Sequence, residues 1–201
     1  RGKGVVSGKI VLVLMDEKSA RELKRNRETW SRHQLAEAIY NLTKAGSEII
    51  GLDMVLSSPD LDPKADRLLA EAINDCNNVV LARVSASPAG EILPLQMFGD
   101  GMIGDGFIDV PLDEDEILRK IRFFNAKPIP DGNLQLSPSF SLELARSFLN
   151  IDFNLDFSRW DFFEMGSEDA KKLRLPYPEL LINYKGDYTL FDRISYADAV
   201  L

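Results

Sequence analysis

Cysteine and histidine are nearly absent: the 201 residues hold one of each. With Cys76 alone, no disulfide can form within the chain, so the fold must be held by its core. A chain of this length buries roughly 70% of its unfolded surface, which is enough without covalent staples. The lone His33 excludes a zinc site built on several histidines, and any nucleophilic triad would have to pass through it. Long apolar runs are missing too. None approaches the roughly 18 residues of a membrane span, and no signal peptide is visible. Positive charge is in deficit, with a formal balance of −8. A nucleic-acid partner is therefore disfavoured, because nothing would be gained from releasing counterions off a phosphate backbone. There is no Walker motif, no Gly-x-Ser-x-Gly elbow, no Cys-x-x-Cys pair and no basic amphipathic helix, so no cofactor is implied.

What is present is an ordinary globular composition, 45% hydrophobic and 28% charged. The chain is organised around residues 9–84. Ile10-Val-Leu-Val-Leu-Met15-Asp16 reads as a buried strand, apolar, β-branched and too brief for a helix. Ser31 and Gln34 have capping-box spacing. Behind them Leu35, Ala38, Ile39 and Leu42 recur at helical intervals up to the stop at Gly46. Residues 48–53 form a second buried strand that also ends in an aspartate. Asp62-Pro63 opens a helix with proline at the first position, where its missing N–H costs nothing. Ala65, Leu68, Leu69, Ala72 and Ile73 make the apolar stripe, and residues 79–84 follow as a third strand. Strands alternating with helices over short links predict parallel pairing.

Beyond this core the signals are shorter. Residues 91–95 read as an edge strand, since Pro94 cannot donate to a central ladder. The glycine-dense stretch 99–106 lacks the spacing of a dinucleotide fingerprint, and no helix follows it. Residues 107–124, broken by the acidic turn 113–116, read as an antiparallel hairpin. Ser137-Pro138 is expected to cap a helix whose Phe140, Leu144, Ala145 and Phe148 share a face. Residues 150–179, with aromatics from Phe153 to Phe163, read as a packed loop or a contact surface. Residues 180–184 form a late strand closed by Lys185-Gly186, and Ser195 caps a helix that begins near the end of the sequence. The fold class expected is α/β: a mixed sheet with a parallel βαβαβ core, an antiparallel hairpin extension and flanking helices.

Among polar side chains, Asp16 and Asp53 each end a predicted parallel strand, the place where open α/β sheets put ligands. Two carboxylates there could hold a divalent cation, with Asp60 as a third, which would fit a metal-dependent hydrolase or phosphotransferase. The simpler account is local: each aspartate accepts a backbone N–H of the next turn, Asp16 through Ser19 being a natural helix start. Arg119, Lys120 and Arg122 could receive an anion, or pair with the acidic turn beside them. Cys76 has no cationic neighbour in sequence to activate it. No catalytic constellation is complete.

Taken together, several pieces resemble a known pattern: residues 10–16 with Ser19, Trp30-Ser-Arg32, Ala45-Gly46 leading to Asp53, Ser58-Pro59-Asp60, Ala65-Asp66, residues 78–82, the acidic turn running into Leu118-Arg119-Lys120, Ser137-Pro138-Ser139, and residues 181–186. In this order and over nearly the whole chain, they resemble the type 2 CHASE domain, a cyclase- and histidine-kinase-associated sensory extracellular domain. The resemblance implies an extracytoplasmic sensor, periplasmic or extracellular, in a prokaryotic transmembrane receptor. It implies relay to a cytoplasmic adenylate cyclase, histidine kinase, diguanylate cyclase or serine/threonine kinase. It implies a small-molecule or physical stimulus, a possible homodimer and no catalysis by the domain itself. It draws attention to Asp16, Ser19, Asp53 and Arg119 as ligand-binding positions. Three departures stand out. The tryptophan–proline run expected before the first helix is reduced to Trp30 and Arg32. The turn before Arg119 has Asp115-Glu116 where the family has Asp-Gly. The pattern would also continue past residue 201 into a further strand, so residues 1–201 are expected to be one domain truncated at its C-terminal end.

Overall fold

The computed structural model describes residues 7–23, 30–85, 90–129, 134–153, 155–156, 162–166, 172–176, 179–184 and 187–201. In chain order the first part runs β1 (Val11–Leu14), α1 (Glu17–Glu22), α2 (Arg32–Lys44), β2 (Ile50–Leu52), α3 (Pro63–Cys76), β3 (Val79–Arg83) and β4 (Gly104–Phe107). Next come β5 (Lys120–Arg122), β6 (Phe124–Pro128), β7 (Leu134–Pro138), α4 (Phe140–Leu149), β8 (Leu155–Asp156) and β9 (Phe162–Met165). The last elements are β10 (Leu173–Pro176), β11 (Glu179–Leu181), β12 (Asp192–Ser195) and α5 (Tyr196–Val200). The chain divides into two compact units: one takes the described parts of 1–47, 60–76 and 183–201, the other those of 48–59 and 77–182. No helix among the described residues is long and apolar enough to cross a membrane.

In the first unit β1 pairs in parallel with β12, Val11 opposite Asp192 and Leu14 opposite Ser195. The predicted first strand therefore forms, but its partner is the last strand of the chain. It is also less buried than expected, with Ile10 and Val11 about half exposed. Helix α2 packs against α3 and α5. Leu35, Ala38 and Ile39 are buried as their spacing requires, and Gly46 ends the helix in the left-handed conformation at φ 97°. Ser31 has the extended backbone of an N-cap, yet its side chain makes no cap hydrogen bond. The capping box does not form, and the buried Oε1 of Gln34 has no hydrogen-bond partner. Pro63 opens α3 as expected, with the Asp62 carboxylate accepting the N–H of Lys64 at 3.0 Å. On α3 the buried stripe is Ala65, Asp66, Leu69, Ala72 and Ile73, while Leu68 faces solvent at 42% exposure.

The second unit contains a parallel sheet in the order β2–β3–β4, with Gly51 opposite Val80 and Val80 opposite Gly104. Every residue of β3 is buried, as a parallel strand covered on both faces must be. Helix α4 lies against β3 and β4. Glycines make that close approach possible. A Cβ on Gly51 would come within 2.9 Å of the Leu144 side chain, and one on Gly106 within 2.6 Å of the Phe140 backbone nitrogen. The two glycines that the glycine-dense stretch contributes to β4, Gly104 and Gly106, thus serve helix packing.

The α/β class, with parallel sheets, antiparallel hairpins and flanking helices, is the one expected, but the elements after β3 pair differently. Residues 104–107 join the parallel sheet as β4, so no hairpin spans 107–124. The antiparallel hairpin is β6–β7, Phe124 opposite Pro138, and β5 pairs with β11. Ser139, not Ser137-Pro138, caps α4; its hydroxyl accepts the Leu142 N–H at 3.3 Å. The stretch expected to be a loop contains the antiparallel sheet β8–β9–β10. Phe163 and Met165 are fully buried there with Phe123, Phe124, Leu142 and Ile151, because alternate residues of β9 face this core. Phe157, Trp160 and the Lys185-Gly186 closure lie outside the described residues.

Candidate functional site

Where β1 ends, the chain turns into α1 through Asp16, the N-cap residue of that helix. Its Oδ1 accepts the Ser19 N–H at 2.9 Å and the Ser19 hydroxyl at 2.9 Å. The Ser195 hydroxyl donates to the same oxygen at 2.7 Å. Ser19 is fully buried and in turn accepts the Ala197 N–H at 3.1 Å, in the first turn of α5. Parallel register makes this possible, because Leu14 stands opposite Ser195 and both strands deliver their next residues to the same edge. Three donors on one oxygen hold the Asp16 carboxyl at about 2, the Ser19 N–H contributing most. A second tie lies nearby, the ion pair between Lys18 and Asp198. The junction fastens two strands and two helices. Asp16 and Ser19, two of the positions drawn from the sequence, meet here, and both are engaged inside the fold.

Three more residues of the sequence pattern, Arg32, Asp60 and Asp66, converge in the same unit. Arg32 and Asp66 form an ion pair, their side chains 10% and 6% exposed. Asp60 lies at the edge of this pair, its Oδ2 4.0 Å from Arg32 Nε and its own N–H donated to Asp66 at 3.0 Å. Burial outweighs the charge of Asp60 at Arg32 and lowers the guanidinium from its usual value. Beside them the Trp30 and Tyr196 rings meet edge to face at 5.2 Å. The charge of Asp66 argues for a solvated position, but its spacing from Leu69 and Ile73 puts it on the inward face of α3.

Asp53 and Arg119 belong to the second unit. Asp53 is exposed one residue beyond β2, at the centre of a tight turn in which the Met54 N–H reaches Leu52 O at 2.8 Å. Asp16 lies in the other unit and Asp60 is engaged with Arg32 and Asp66. Among the described residues no three His, Cys, Asp or Glu side chains gather as a metal ion would need. Arg119 clamps the acidic turn. It forks onto Asp115 at 2.7 and 2.8 Å and reaches Asp113 at 2.9 Å. These contacts raise the guanidinium further and lower Asp115. Glu116 stands in this turn at φ 61°, the left-handed conformation that glycine adopts without strain.

One group escaped the sequence reading. Glu143 is 1% exposed on α4, with Arg146 three residues on bonding both its oxygens. A Glu–Arg pair at this spacing ordinarily marks a solvated helix face, so only the glycines of the facing strand could have signalled burial.

The chain matches the family model described as the CHASE2 domain over residues 1–201. No curated protein and no solved structure matches it. The segment running to Asp16 and Ser19, and the paired Arg32 and Asp66, are among the pieces that carried the resemblance in sequence. The chain belongs to the CHASE2 family of extracellular sensory domains.

Proposed function

We propose that this domain is the signal-input module of a prokaryotic transmembrane receptor. It is held on the outer side of the cell membrane, performs no chemistry itself and passes its state to a cytoplasmic output domain. Adenylate cyclase, histidine kinase, diguanylate cyclase and serine/threonine kinase are the output classes considered. The observation that carries this reading is the family match over residues 1–201. The junction at Asp16 supports it by supplying a mechanical link. A displacement of β12 or α5 is felt at β1 and α1, because Ser195 and Ala197 are bonded to Asp16 and Ser19. A small molecule or a physical stimulus that prefers one of two arrangements of such a link would pass on about 1–3 kcal/mol of coupling. Of the four positions noted in sequence, Asp53 faces solvent and is the one we assign to ligand contact. Asp16, Ser19 and Arg119 hold the fold. The module works alone or as a homodimer.

The test is topological. A reporter active only outside the cytoplasm is fused after this domain in its parent gene. Activity supports the reading; a silent reporter, with a second reporter active only in the cytoplasm giving signal at the same fusion point, overturns it.

A further inference from the structure

We infer that Glu143 is a proton-responsive trigger in the second unit: protonation of its buried carboxylate changes how α4 is seated on the glycine-bearing strands. Its chemistry stands on the geometry of that unit. That the proton is a stimulus the domain reports rests on the signal-input reading above.

Glu143 is 1% exposed, and its carboxylate occupies the space that a Cβ on Gly104 would fill. The strand opposite has no side chain there, so the acid takes the place of one. Among the described residues, the charged groups that bear on it are Arg146, Asp105 and Arg83. Arg146, on its own helix, donates Nε to Oε2 at 2.6 Å and a second nitrogen to Oε1. From the sheet, Asp105 on β4 opposes its ionisation and Arg83 on β3 favours it. The strands packed on α4 bring Gly51, Gly104 and Gly106 against it. Arg83 is itself buried, its side chain 9% exposed. Its Nε makes no hydrogen bond, although Asp105 Oδ1 lies 3.4 Å away. The cluster of two acids and two guanidiniums is balanced only while Glu143 is ionised.

Burial raises the Glu143 carboxyl above its usual value despite Arg146. The sign follows from linkage. The folded form binds this proton more tightly than the unfolded form does. Its stability therefore falls as pH rises from the ordinary carboxyl range through the raised value, and grows on acidification. Once Glu143 is neutral, Arg146 loses its partner charge, and its side chain, 22% exposed, already reaches water. Close packing turns that local change into a backbone one, since α4 has no slack above Gly51 and Gly106.

The experiment is an NMR titration of the 201-residue chain with carbon-13 in the glutamate carboxyls. The Glu143 resonance is expected to titrate above 4.5, its ordinary value. The amides of Phe140–Leu149 and of Gly104 should move with the same midpoint. In Arg146→Gln the midpoint should rise further, and in Glu143→Gln the shared transition should vanish. A midpoint at or below the ordinary value overturns the inference, as do α4 amides that stay still while Glu143 titrates. If Glu143→Gln does not fold, the wild-type and Arg146→Gln titrations decide alone. The topology reporter is indifferent to all these outcomes, so the trigger and the signal-input reading can fail separately.

Discussion

Ser195 donates its hydroxyl to Asp16 at 2.7 Å although 179 positions separate the two in the chain. A carboxylate that ordinarily serves only its own helix start therefore also closes the first unit, tying β1 to the strand that arrives last. Removing the hydroxyl with Ser195→Ala is expected to cost about 1 kcal/mol, the worth of a typical part-buried hydrogen bond. Urea unfolding of wild type and variant at neutral pH measures it.

Acid should act on the same contact. Asp16 titrates at about 2 in the folded chain against an ordinary 3.8. A depressed carboxyl contributes stability that is complete above its unfolded value and disappears as pH falls through the folded one. Wild type is thus expected to lose melting temperature between about pH 4 and pH 2. Asp16→Asn, less stable at neutral pH, should show a shallower fall across that window. Thermal melts over the range distinguish the two slopes.

Arg32 and Asp66 give the sharpest contrast between single and paired changes. Arg32→Ala strands the Asp66 carboxylate inside the unit and is expected to cost about 3–5 kcal/mol. Replacing both, as Arg32→Met with Asp66→Leu, should cost far less, because no buried charge is left unmatched. Chemical denaturation of the two single variants and the double variant yields the cycle.

Two glycine questions have opposite answers. Gly106→Ala pushes a methyl into the backbone of Phe140 and Ser139, which α4 cannot yield without moving. The cost expected is about 1–3 kcal/mol, as for other overpacked cores. Glu116→Gly, where φ is 61°, should instead stabilise the chain by about 0.5–1 kcal/mol through relief of left-handed strain. Melting curves of both variants should move in opposite directions from wild type.

The elements legible in the sequence were those whose signal is local. Pro63 after Asp62, Gly46 after a helical stripe and the apolar run Val79–Ala82 of β3 each announce themselves within a few residues. Pairing was less legible, because β1 finds β12 and β5 finds β11 across long separations that no periodicity records. Gly104 and Gly106 of β4 were visible, but their purpose depends on α4, which lies more than thirty residues further on. Of the site, Asp16 and Ser19 could be read as a helix start, and the structure bears that out. Their third partner, Ser195, could be read only as a cap. The burial of Asp66 and Glu143 was hidden by charge, which ordinarily marks a solvated face.

The central claim is that this domain informs an output domain across a membrane. The most direct measurement compares the output activity of the intact gene product with that of a version lacking residues 1–201, across a range of external conditions. The account predicts that the shortened protein loses its response to those conditions and settles at a fixed activity. Output that is the same with and without the domain under every condition would contradict it.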